Sequence, residues 1–320
     1  MTAPVLRLAN ADEEARIVAF LDENWGGRLA LVHARDYFDF YYRPFGADTL
    51  QFAVAETDGQ LAAVAGYILA NRSSRPDVWV SVWCARKGCN GIGLELMAAL
   101  PGLTGARVLA CNNIRPKTMA FYRFLGWSAD RMDHYYRLAP RAEYRLARPD
   151  GSVFPEPVPG AVFERVSSPE QLGEIFPGKP HKDAWYVARR YFSFPRLSYD
   201  VWKTGRSLVV TRTVDAGCAR VVRIVDFIGR PDDFALCGEG LNAWMEHEGA
   251  EYMDCYCAGM SPDVMRQAGF LARTEDSKAV VPNYLDPPLL ENTEYYYFTN
   301  DPDGFVMFKA DGDQDRPNLG

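Results

Sequence analysis

The feature that most constrains the fold of this chain is a succession of elements laid out twice. In the first half Val5–Leu8 reads as a strand, and Asn10-Ala11-Asp12-Glu13-Glu14 caps a helix carrying Ile17, Ala19, Phe20 and Leu21. Leu31–Tyr42 is a second, aromatic-rich helical pattern, and Leu50–Glu56 and Leu61–Leu69 flank the hairpin signal Asp58-Gly59. Val78–Cys84 is the next strand, followed by a helix over Gly91–Leu100 that stops at Pro101. Ala106–Cys111 is a strand, Thr118–Leu125 a short helix and His134–Leu138 a closing strand. The plan then recurs. It runs through strand Val162–Val166, a helix start at Ser168-Pro169-Glu170-Gln171 and an aromatic helix over His181–Phe194. Strands Ser207–Thr213 and Arg220–Phe227 follow, about the turn Asp215-Ala216-Gly217. The helix Pro231–Glu248, the strand Glu251–Cys257 and the short helix Ser261–Gln267 complete it. Such a period is far longer than a solenoid repeat, so the sequence predicts two copies of one α/β domain. Ala139–Gly160, with five prolines, is the boundary between them.

A chain of 320 residues fits two domains of about 100–200 residues each. With 48% apolar residues, each half has enough to bury a core. The net charge of −7 argues against a nucleic-acid surface, so a polyanionic ligand must find its cations locally. Arg86, Lys87, Arg115 and Lys117 offer them. The N-terminus lacks a long apolar stretch, and no run approaches the roughly 18 residues of a membrane span. Seven scattered cysteines, an odd number, read as reduced thiols of a cytoplasmic protein. Cys255-Tyr256-Cys257 is no zinc spacing, and the four histidines lie far apart, so no metal site is expected.

Two segments carry chemistry. In the first, the strand ending Trp83-Cys84 runs into Ala85-Arg86-Lys87-Gly88-Cys89-Asn90-Gly91-Ile92-Gly93, at a helix start. A helix N-terminus points backbone N–H groups at an anion, and glycine lets the backbone approach phosphate oxygens. In the second, Asn113–Trp127 places Tyr122 four residues before the glycine of Leu125-Gly126-Trp127. Together they suggest a phosphate-bearing cofactor and a hydroxyl that finishes a transfer reaction. Cys89 is not spaced to any His or Asp partner for covalent catalysis.

These residues resemble the GNAT superfamily of N-acetyltransferases over Val5–Leu138, and again over Val162–Phe270. The resemblance implies an α/β (α+β) fold of two tandem GNAT-like domains, each a mixed, mostly antiparallel sheet flanked by helices. Residues 1–141 would bind acyl-CoA, 142–160 would link, and 161–320 would form a degenerate copy that walls the acceptor pocket. Gly91-Ile92-Gly93 match the family's diphosphate loop, although Gly88 stands where Arg or Gln is usual. More narrowly, Asn24-Trp25, His33–Tyr42, Trp79–Trp83, Tyr122–Trp127, His134-Tyr135-Tyr136 and the tail from Lys309 through Asn318 look like tandem-GNAT enzymes of bacterial surface-polysaccharide clusters. Those enzymes N-acylate nucleotide-linked amino sugars. The second half lacks a Gly-x-Gly cradle after Ile228, and Met265 stands four residues before Gly269, so it is expected to be cofactor-free.

The resemblance implies that acyl-CoA is held by Trp83, Cys84, the loop Arg86–Gly93, Asn113 and Lys117, and that Tyr122 is the general acid. The other reading of Tyr122 is a core residue closing the helix–turn. For the base, His33, His134, Asp226 and Asp311 are candidates, Asp226 foremost, and a bound water is sufficient for a weakly basic sugar amine. Trp25, His33, Tyr186, Arg190, Arg223 and Asp311 are expected to meet a nucleotide-sugar acceptor, dTDP-linked by the same resemblance, by stacking and Arg–diphosphate pairing. Tyr191 and Arg189 are further contacts on the same helix. Asp311-Gly312-Asp313-Gln314-Asp315 mimics a calcium loop, but Arg316 replaces its glycine and no Glu follows, so the tail is read as folding back toward the acceptor. The rival readings are a mycothiol-synthase-like or bridge-forming tandem GNAT and a non-catalytic acyl-CoA sensor.

Overall fold

The computed structural model describes residues 3–27 and 29–316. Pro317 and Asn318, at the end of the tail segment named above, lie outside the described residues. The strands are β1 (Val5–Leu8), β2 (Phe52–Thr57), β3 (Gln60–Leu69), β4 (Val78–Ala85), β5 (Leu109–Asn112), β6 (Ser128–Arg131), β7 (Asp133–Leu138) and β8 (Glu164–Val166). They continue as β9 (Asp200–Thr204), β10 (Ser207–Asp215), β11 (Arg220–Ile228), β12 (Tyr252–Ala258), β13 (Leu271–Ala272), β14 (Tyr296–Thr299) and β15 (Met307–Phe308). They form two mixed, mainly antiparallel sheets with helices against them, the α/β class expected from the duplicated plan.

Local chemistry explains several of the elements. Asp58 and Gly59 both take positive φ, so the β2–β3 link is the tight turn whose twist matches its strands. The helix Asn90–Thr104 buries Leu96, Met97 and Leu100 against alternate alanines of β2 and β3. It does not stop at Pro101, as the proline rule predicts. The helix runs one turn further, to Gly105 in the left-handed region, where the Thr104 hydroxyl bonds the Leu100 carbonyl at 2.8 Å. The expected helix over His181–Phe194 is shorter, an α-turn at Ala184–Val187 that widens into a π-turn at Ala188–Phe192. Asp183 caps it through the Tyr186 N–H.

The strand order departs from two separate repeats. The first sheet runs β1-β2-β3-β4-β5-β14-β6, and the second β13-β7-β12-β11-β10-β9-β8, with β15 also on β12. The closing strand expected for the first half, β7, therefore lies in the second sheet, and a strand of the C-terminal region sits inside the first. Pairing is non-local, and both strands are largely buried runs that carry no mark of which sheet they join. Both sheets are covered on both faces, which is why β3 and β12 read as nearly continuous apolar runs. The shared middle layer joins Phe38, Tyr41 and Tyr42 of one half to Tyr186, Tyr191 and Phe194 of the other. Among the described residues, no helix is long and apolar enough to cross a membrane.

Candidate active site

The first sheet opens at its centre. Strands β4 and β5 are parallel partners only at Val78–Leu109 and Trp79–Ala110, after which they part. The gap is a cavity of about 620 Å³ whose lining includes Trp83, Cys84, Asn90, Gly91, Asn113 and Tyr122. Both segments singled out in the sequence thus meet in one place. At its mouth the helix Asn90–Thr104 begins, and the N–H groups of its first turn have no acceptor within the helix. Gly88, at φ +87°, makes the turn into it. A Cβ on Gly93 would come within 2.8 Å of the Ala85 Cβ, so this glycine lets the helix lie against β4. A Cβ on Gly91 would meet nothing within 4 Å, so that backbone stays open to a ligand. The Trp83 indole N–H ties the two elements through the Gly93 carbonyl at 3.1 Å.

The other loop residues expected at a cofactor stand around the mouth without lining it. Arg86 donates to Gln60 at 3.0 Å, Lys87 and Gly88 are exposed, Cys89 precedes the helix, and Ile92, in its first turn, packs against the core. Lys117 is exposed on the turn Pro116–Thr118. Asn113, in the left-handed region, donates to the Gln314 amide oxygen at 2.7 Å.

Tyr122 is only 4% exposed. Its ring stacks on Phe298 of β14 at 4.0 Å and on Trp127 at 6.4 Å, with Trp83 tilted against it at 5.9 Å. Burial, helped by the neighbouring Cys111, raises its pKa well above the ordinary phenol value, so the hydroxyl is protonated throughout the neutral range. Burial likewise pushes the Cys84 thiol up, which leaves it a poor nucleophile.

The tail folds back onto this cleft, and Asp313, Gln314 and Arg316 line it. Asp313 pairs with Arg316 and accepts from the Gln314 amide at 2.8 Å. Spacing alone did not mark these three as site residues. A second cavity of about 880 Å³ adjoins the first, and the two share Leu29, Leu31, Asn113, Gln314 and Arg316 as lining. Arg223 lines the second cavity and Trp25 the first.

The remaining expected residues sit elsewhere. Asp226, foremost as base, is fully buried, with one oxygen 2.5 Å from the Lys182 ammonium and the other accepting from the Tyr191 hydroxyl. Asp311 lies 2.6 Å from the same ammonium, and its second oxygen accepts from the Phe308 N–H at 2.9 Å. The two carboxylates thus form a sealed ionic cluster that pins the tail to β11. His33 sits 2.6 Å from Asp22, while buried His134 stacks on Tyr256 and lies 3.1 Å from Asp254. Tyr186 is buried beside Tyr191. Buried Arg190 donates to the carbonyls of Ala310 and Asp315 and lies over Phe194 at 4.2 Å. Among the described residues, no group of three or more His, Cys, Asp or Glu could hold a metal ion.

The buried cluster has a titration consequence. Burial raises the Asp311 carboxyl to about 7, with Asp226 adding to the rise and Lys182 opposing it. The unfolded value is near 4, so between about pH 4 and 7 the folded chain binds the extra proton. Asp311 therefore contributes stability at low pH that is lost as pH rises through 7. Relative to wild type, Asp311→Asn is expected to gain stability between pH 5 and pH 8, read as a shift in urea midpoint. Equal shifts at both values would contradict this account.

No family model matches the chain, and no curated protein matches it in sequence. Solved structures do match its fold. A GCN5-related N-acetyltransferase from Kribbella flavida is 13% identical with a TM-score of 0.52, over 92% of this chain and 70% of that one. A GCN5-related N-acetyltransferase from Anabaena variabilis is 10% identical with a TM-score of 0.52, over 92% of this chain and 72% of that one. A conserved protein of unknown function from Enterococcus faecalis is 12% identical with a TM-score of 0.52, over 93% and 72%. The chain is similar to these in fold, and the likeness spans both sheets.

Proposed function

We propose that the chain is an acyl-CoA-dependent N-acyltransferase, with the first cavity taking the donor and the second a nucleotide-linked amino sugar. The parting of β4 and β5 beside an open helix N-terminus, with a protonated tyrosine on its wall, is the observation that carries this reading. The free edge of β4 offers backbone groups to pantetheine, and the first turn of the helix offers N–H groups to the diphosphate. The amine nitrogen attacks the thioester carbon, the C–S bond breaks as the C–N bond is kept, and the CoA sulfur takes the Tyr122 proton. A water in the cleft takes the amine's proton and returns it to the Tyr122 phenolate, because the candidate bases His33, His134, Asp226 and Asp311 are engaged elsewhere. Holding both reactants together is worth up to about 7–11 kcal/mol of the barrier. The acceptor class rests on the resemblance of segments such as Trp25 and Tyr122–Trp127 to nucleotide-sugar acylating enzymes, and bacterial surface-polysaccharide synthesis in the cytoplasm is the matching setting.

The test is free-thiol release from a panel of acyl-CoAs offered with dTDP- and UDP-linked amino sugars. Turnover with free or peptide amines alone would reject the acceptor, and no turnover or acyl-CoA binding would reject the donor. The two glycines give a sharper check of the donor cradle. Gly91→Val is expected to raise KM for acyl-CoA about tenfold or more at an unchanged melting temperature, because its side chain enters open space at the mouth. Gly93→Val instead is expected to cost about 1–3 kcal/mol of stability, because it overpacks Ala85. Equal effects of the two on KM would remove the distinction.

A further inference from the structure

We propose that Arg223 and Lys309 form an oxyanion anchor in the second cavity that holds the diphosphate of the acceptor. The inference rests on the reading of that cavity as the acceptor chamber. Both residues line it. Arg223 is 4% exposed, and its hydrogen bonds go to neutral oxygens, the Pro282 carbonyl and the backbone and side-chain oxygens of Asn283. Lys309 Nζ lies 2.5 Å from the same Asn283 side-chain oxygen. Two cations thus converge on one amide oxygen. The other cations of the chamber differ, since Arg212 is held bidentately by Asp315 and Arg316 pairs with Asp313. Arg223 has one carboxylate nearby, Asp254, at 3.9 Å, but hydrogen-bonds only neutral oxygens and leaves its buried Nε unsatisfied. An oxyanion entering the chamber would give the pair the charged hydrogen-bond partner it lacks.

The surroundings make this anchor report on its own occupancy. Burial, then the Arg223 guanidinium, pushes the Lys309 ammonium down to about 7, with Arg212 acting the same way and Asp315 and Asp254 opposing. The uncharged faces around it are Tyr295, at 5.1 Å, and Tyr256, at 5.9 Å. A bound diphosphate favours the charged form, so binding above pH 7 takes up a proton. Affinity is then flat below about pH 7 and falls as pH rises above it.

The experiment is calorimetry on the full chain at pH 8, in two buffers of different ionisation enthalpy. The ligands are inorganic pyrophosphate, UDP and dTDP, with CoA as the control. Proton uptake with pyrophosphate and the nucleotides is expected, and Lys309→Met should remove it and weaken binding by roughly tenfold or more while CoA binds as before. Lys309→Arg keeps the charge, and should bind without proton uptake even if the methionine variant folds poorly. Pyrophosphate and nucleotides that give no heat, or bind Lys309→Met as tightly as wild type, would overturn the anchor. An equal loss of CoA affinity would overturn it too, by assigning the pair to the donor. If the anchor binds nucleotides but no amino sugar is acylated, the anchor stands and the proposed acceptor falls.

Discussion

Replacing Tyr122 by Phe is expected to lower kcat for acyl transfer about 10²- to 10⁴-fold, while KM for acyl-CoA and the melting temperature stay close to wild type. The phenylalanine ring keeps its stack on Phe298, so the substitution removes a hydroxyl and little else. Tyr122 lines the cleft formed where β4 and β5 part, and burial holds its hydroxyl protonated. Its loss is felt only as the C–S bond breaks, when the sulfur gathers charge, so the effect falls on kcat and not on binding. A residue that merely closes the helix–turn would behave in the opposite way, losing stability and keeping its rate. Unchanged kcat in Tyr122→Phe, with acyl-CoA turnover otherwise demonstrated, returns the tyrosine to the core. A chain that binds acyl-CoA but never releases thiol is a sensor, the reading this substitution is meant to separate.

What could be read in the sequence was local. Asp58-Gly59 fixed a hairpin because two residues of positive φ admit few alternatives. The run from Trp83 to Gly93 announced a strand, a turn and a helix start, and Tyr122 lay on the short helix its spacing implied. Long-range pairing left no comparable trace. Tyr296–Thr299 is a short aromatic run, and nothing in it indicates that both its neighbours belong to the first half. The same blindness affected the carboxylates. Asp226 looked available for proton transfer because Lys182, 44 residues away, gives no sign in the sequence that it reaches the same point. Arg223 was expected at the acceptor and lines the second cavity, whereas its companion Lys309 carries no spacing signal at all. Its role depends on the exchange that brings the tail across β12.

That exchange makes the C-terminal segment part of the fold, and a chain ending at Glu294 is expected not to reach a cooperative native state. β14 is paired on both edges, with Ala110, Cys111 and Asn112 on one side and Ser128 to Arg131 on the other. Its removal leaves two rows of backbone groups without partners in the middle of a sheet. Phe298 is fully buried between Tyr122 and Trp127, and losing a ring so placed costs about 3–5 kcal/mol by itself. The tail also supplies Asp311 to Lys182, Asp315 to Arg212, and the carbonyls that satisfy the Asn112 amide and Arg190. Each loss leaves a buried charge or donor short of partners, and together they exceed the roughly 5–15 kcal/mol that holds a typical domain folded. Phe298→Ala is the graded form of the same experiment. It should lower stability by about 3–5 kcal/mol and also reduce kcat, because the ring braces Tyr122. Urea unfolding followed by circular dichroism decides the matter. A truncated chain that melts cooperatively at the full-length midpoint would make the tail an appendage, and the first sheet would then have to close without it.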